Sequence, residues 1–190
     1  MKVIAIVRFA TLTAGVSLGA IAPAIGGSIY LKLPNVTGPV TKSGFAGDIE
    51  LTAYSQGFSN PVSTNTGSGG ASGKVSCGAI TFSKSVDLTS QDFLEYVTRG
   101  TLIQTATVYF TGNNPNTSHS TARYRIVLTN VRVTSLTQGD TAGNTAGLGI
   151  TENISLVAEK FQVTYLTQNV DGSGGNSETY GWDCATNTAT

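Results

Sequence analysis

From residue 28 onward the apolar residues recur mostly at every second position, the spacing of strands that bury one face. The segment "SIYLKL" (28–33) reads as a short strand ending at Pro34. In "AGDIELTAYSQGFS" (46–59) Ile49, Leu51 and Ala53 share a face, and the apolar positions then shift toward Tyr54 and Phe58. "KVSCGAITFSK" (74–84) places Val75, Cys77 and Ala79 on one side and Gly78, Ile80 and Phe82 on the other. Further strands are predicted at 101–111, 122–136, 151–167 and 177–187, separated by turns rich in Gly, Asn, Ser and Thr. "NPVSTNTGSGGASG" (60–73) has the composition of a flexible loop.

Two further places break the period of two. In "ENISLVAEKFQVTYL" (152–166) Ile154 and Leu156 occupy even positions, whereas Phe161, Val163 and Tyr165 occupy odd ones. A straight strand would then turn its apolar side to water, so either a β-bulge bends it or both faces are covered. The other break is "SQDFLEYVTR" (90–99), where helical spacing replaces alternation. Thr89 and Asp92 have the spacing of a capping box, Gly100 is placed to end the helix, and Phe93, Leu94 and Val97 form the expected apolar stripe. Seven or eight strands with one helix predict a mainly β fold, a closed or nearly closed barrel or a sandwich.

Composition adds one core-bearing domain, because 190 residues with 39% hydrophobic and 12% charged residues can bury a sizeable interior. The N-terminal "MKVIAIVRFATLTAGVSLGAIAPAIGG" (1–27) differs from the rest. Its only charges are Lys2 and Arg8, a run of small and apolar residues follows, and Ala22 and Ala24 offer an A-x-A cleavage site. Residues 1–24 therefore read as a secretory leader and 25–190 as a single domain. The expected location is outside the cell, or the cytoplasm before secretion if the start codon lies upstream of the true one. The formal charge is zero, and without Lys2 and Arg8 the remainder carries nine basic against eleven acidic residues. Basic residues are scattered, which leaves no electrostatic footprint for nucleic acid.

No constellation for catalysis emerges, and no cofactor or metal is expected. His119 is the sole histidine and lies in the polar turn "NPNTSHST"; Asp48 and Glu50 share a face and read as solvated. "GSGGASGK" (67–74) is followed by Val75 and opens a strand, so it is no phosphate loop. Cys77 and Cys184 are the only cysteines. In an exported chain they either form a disulfide, stabilising by about 4–5 kcal/mol across so long a loop, or remain two buried thiols.

The order of landmarks resembles one family. "LPNVTGPVTKSGFAGDIELTAYSQGFS", "SGKVSCGAITFSKSVDLTSQDFLEYVTRG", "ITENISLVAEKFQVTYLTQ" and "GWDCATN" resemble the haemolysin-coregulated protein (Hcp) family, the tube subunits of type VI secretion systems. Typical members lack a leader. The resemblance implies a β-barrel of two sheets with one flanking α-helix, hexameric rings stacking into a hollow tube, and sheath, spike or effector proteins as further partners. It also makes the loop containing Gly38, Lys42, Gly44, Phe45 and Gly47 the contact between rings, with Phe45 exposed on the subunit and buried between subunits. The competing reading is a secreted monomeric β-sandwich that binds a small ligand or glycan. Neither requires a membrane once the leader is removed.

Overall fold

The computed structural model describes residues 27–61, 73–112, 118–119, 121–140, 149–169 and 173–190. The expected leader and most of the 60–73 loop lie outside the described residues. Among those described, the order is β1 (Ile29–Lys32), β2 (Ile49–Leu51), β3 (Ala53–Ser55), β4 (Phe58–Ser59), β5 (Ser76–Cys77), β6 (Ile80–Ser85), α1 (Ser90–Arg99), β7 (Ile103–Phe110), β8 (Tyr124–Gly139), β9 (Thr151–Gln168), β10 (Gly174–Asp183) and β11 (Thr188–Ala189). One antiparallel sheet runs β11-β10-β9-β8-β7-β1-β2, and β6 joins it by pairing the first half of β9 and, on its other edge, β3. The predicted strand at 46–59 is thus three short ones. Thr52 interrupts it, so β2 pairs only β1 and β3 pairs only β6. The barrel expected from the sequence is therefore not closed, although the Thr52 amide donates to the Ser83 carbonyl and draws the two edges together.

The phase slip in β9 has its cause in the pairing. Its first part, Thr151–Leu156, pairs β6, and Lys160–Gln168 pairs β10, so the strand passes from one side of the core to another. Glu152, Ile154 and Leu156 are buried, and the buried position then moves to Phe161. Its partner β8 changes parity at the same level: Ile126 and Leu128 are buried, then Val131 and Val133. The register between the strands is the same on both sides of this point, with Leu128 opposite Phe161 and Val131 opposite Ala158. At the switch Asn130 adopts φ 54°, and its side-chain amide donates to Glu159 at 2.6 Å. A left-handed residue, which Asn tolerates better than most, turns the ribbon over. A separate register shift lies between Val133 and Ser135.

The helix lies over the core on Phe93, which is fully buried and meets Phe82 edge-on at 5.6 Å. Tyr96 and Val97 add partial cover. Leu94 does not belong to this stripe; it is 50% exposed. The inward row is Ser90, Phe93 and Val97, and one residue further rotates a side chain by about 100°. The capping box also differs from expectation. Thr89 makes no side-chain cap, and Asp87 instead accepts from the Thr89 amide and hydroxyl at 2.8 and 2.6 Å. Gly100 ends the helix at φ 62° as predicted.

Two charged side chains among the described residues are completely buried. Lys84 and Glu152 are both 0% exposed, and they stand directly opposite each other on β6 and β9. Lys84 Nζ lies 2.8 Å from Glu152 Oε2 and 3.0 Å from Asp87 Oδ1, and it donates to Ser90 Oγ and the Ser85 carbonyl. Glu152 also accepts from Ser90 Oγ at 2.8 Å and from Gln138 Nε2 at 2.7 Å. The partners come from β6, β8, β9, the link at Asp87 and the first residue of α1, so the network fixes where the helix begins. Burial pushes the Glu152 carboxyl up, and the bonds from Lys84, Gln138 and Ser90 together outweigh it, so its pKa is lowered.

Candidate assembly surface

The loop between β1 and β2 folds back on itself rather than extending. The Gly38 amide donates to the Gly47 carbonyl, Val40 to Asp48, Gly47 to Val40 and Asp48 to Phe45. Gly38 is required here, since a Cβ would lie 2.1 Å from the Asp48 carbonyl oxygen. Gly44 and Gly47 both have φ 83°, where a side chain would be strained.

This geometry overturns the expectation for Phe45. The side chain is 0% exposed within its own subunit. It stacks on Tyr30 at 4.5 Å between centroids and meets His119 and Tyr109 edge-on at 5.0 and 6.0 Å. Tyr30 and Tyr109 are register partners on β1 and β7, facing away from the main core. They supply an aromatic platform within the subunit, so Phe45 needs no neighbour for its burial. Lys42 places its ammonium 5.8 Å from the Tyr30 and Phe45 ring centres.

His119 and Asp48, read from sequence as a turn residue and a solvated acid, close this cluster. Asp48 is buried, and its Oδ2 lies 2.6 Å from His119 Nε2. The bond ties the loop to the segment after β7. Burial first, then the Asp48 charge, hold the Tyr109 phenol above its ordinary range, while the Arg125 charge acts in the opposite sense.

A second feature presents surface outward. On β9 and β10 the row of buried Phe161 and partly buried Val163 and Trp182 continues outward as Tyr165, Tyr180 and Glu178. Tyr165 and Tyr180 are 46% and 57% exposed. Among the described residues the outer edge of β10 is open from Gly174 to Tyr180, because β11 pairs only Trp182 and Asp183 and the Thr190 amide donates to the Gly181 carbonyl. This edge, "GGNSETY", carries one charge, Glu178, and no Lys or Pro. Such an edge lacks the usual guards against pairing with another chain.

Beside it, Cys77 and Cys184 are joined in a disulfide with Cα atoms 6.1 Å apart, spanning a sequence separation of 107. The bond attaches the two-stranded β4–β5 ribbon, which shares no ladder with the main sheet, to the end of β10. The ribbon sets Phe58 on Phe161 at 4.4 Å, and the Val75 amide donates to Asn187 Oδ1. Asp183 accepts from Lys160 and from the Thr186 and Ala185 amides. With the Lys160 bond first and the Thr186 amide next, these contacts pull its carboxyl down to about 2.

Among the described residues no group of three or more His, Cys, Asp or Glu is placed to hold a metal ion. No described helix is long and apolar enough to cross a membrane.

Among the described residues, an interrupted nine-stranded antiparallel sheet wrapped on the main core, with a two-stranded ribbon and one short helix, defines a mainly β class. The sequence profile described as "Type VI secretion system effector, Hcp" matches residues 30–165, and the chain belongs to that family. Solved structures share the fold. One described as a type six secretion system protein superposes with a TM-score of 0.79 at 21% identity, covering 87% of this chain and 100% of the other. Hcp1 from Salmonella typhimurium gives 0.69 at 19% identity, covering 87% and 99%. A type VI secretion system effector from Yersinia pestis gives 0.62 at 15% identity, covering 82% and 98%. No match was found among curated proteins.

Proposed function

We propose that this protein is a structural subunit that self-assembles into hexameric rings, which stack into a hollow tube. Residues 25–190 form the assembling domain, and the leader at 1–24 routes it outside the cell. The observation that carries the reading is the open, almost uncharged edge of β10 beside the exposed Tyr165 and Tyr180. A monomer gains nothing from an unguarded edge next to two exposed aromatic rings, whereas a ring subunit covers both against its neighbour. Family membership supplies the context of type VI secretion. Because Phe45 is buried within its own subunit, this reading gives contact with a neighbouring ring to the loop's outer residues, Lys42 and Gly44 among them.

The test is the assembly state of the mature protein. Gel filtration with light scattering should give a species six times the protomer mass. Tyr180→Lys, which places a charge at the edge, should shift it toward smaller species with unchanged circular dichroism. A wild type that stays monomeric at high concentration favours the ligand-binding alternative.

A further inference from the structure

We propose that a cavity on the outer face of the sheet, centred on Arg125, binds a single oxyanion group of carboxylate or phosphate size. Arg125 lies on β8 between Tyr109 of β7 and Thr164 of β9, its direct register partners, so the three side chains share one face. It is half-buried, has no hydrogen-bond or ion-pair partner among the described residues, and its Nε is closed off from solvent. A partly desolvated cation without a counter-ion is costly, and an arginine fork suits a carboxylate or phosphate.

The surroundings specify the missing charge. Arg125 lines a cavity of about 120 Å³ together with His119, Ala122, Thr164, Leu166 and Ser177. Among the described residues the lining holds two hydroxyls and an imidazole but no carboxylate. Asp48, the acid of the neighbouring aromatic cluster, is buried, is bonded to His119 at 2.6 Å and does not line the cavity. The volume admits one oxyanion group with its immediate contacts and excludes a nucleotide or sugar chain.

The group can arrive as a free ion or as a carboxylate side chain of a second copy, and two measurements separate these sources. In the first, inorganic phosphate is titrated calorimetrically into the mature protein at constant ionic strength, and the proposal does not depend here on ring formation. Saturable binding that weakens at least tenfold in Arg125→Gln assigns a free ion. In the second, the variant is compared with wild type by gel filtration without phosphate. A wild type that ignores phosphate while Arg125→Gln dissociates assigns a neighbouring copy's carboxylate. Circular dichroism and the thermal midpoint accompany both. If Arg125→Gln fails to fold, Arg125→Lys, which keeps the charge and loses the fork, takes its place and should show a smaller loss in the same readout. Absent phosphate heat together with unchanged elution of the variant overturns the proposal.

Discussion

Replacing Lys84 by Met removes a charge that no water reaches and leaves Glu152 buried opposite an apolar chain. Glu152 would keep Ser90 and Gln138 as donors but lose its ammonium partner, which lies at 2.8 Å. Breaking one side of a buried pair costs about 3–5 kcal/mol, because the surviving charge is stranded. For a domain of this size that is a fall in thermal midpoint of roughly 6–20 °C. Glu152→Gln should cost less, since Lys84 keeps Asp87 at 3.0 Å and the amide can still meet Gln138 and Ser90. The double variant Lys84→Met with Glu152→Leu should cost less than Lys84→Met alone, because no charge remains buried. Urea unfolding with the disulfide intact measures all three. The pair also predicts a pH dependence. The folded pKa of Glu152 is lowered, so its contribution is fully present above the usual carboxylate range and is lost as pH falls through the folded value. Acid destabilisation should therefore be weaker in Glu152→Gln than in wild type. A Lys84→Met variant within about 1 kcal/mol of wild type would refute the reasoning.

Phe93→Ala should cost about 3–5 kcal/mol, and Leu94→Ala, half in water, well under that, as compared by thermal unfolding. Phe45→Ala should destabilise by about 3–5 kcal/mol as an intramolecular core residue, and amide exchange should speed up at Gly38, Val40 and Gly47. Retained stability with lost stacking would return Phe45 to an inter-ring role. Thiol labelling of the unreduced, denatured mature protein should find no free cysteine, and Cys77→Ser, which frees the ribbon that covers Phe161, should make the fluorescence of its register partner Trp182 easier to quench. Two labelled thiols per chain would remove the clip from the account.

The sequence made the strands legible wherever one face is buried, and it marked the parity change in β9 through Leu156 and Phe161. It did not show that β8 turns over with β9, because that depends on a pairing between distant segments and on one left-handed Asn130. A signal for the buried pair was present: Lys84 shares its parity with Ile80 and Phe82, and Glu152 with Ile154 and Leu156. Charges in phase with an apolar row indicate a buried partner. Phe45 was misread for a different reason. Tyr30 and Tyr109 lie on the face away from the main core, and only the fold brings them under the loop. For the same reason His119 and Asp48, 71 residues apart, gave no sign of their bond.

Electron microscopy of the purified mature protein, with its disulfide intact, tests the central claim most directly. The account predicts six-fold rings and stacked tubes for wild type, with shorter or absent tubes for Tyr180→Lys. Fields of isolated monomers at high concentration, or tubes of unchanged length and order in Tyr180→Lys, would contradict it.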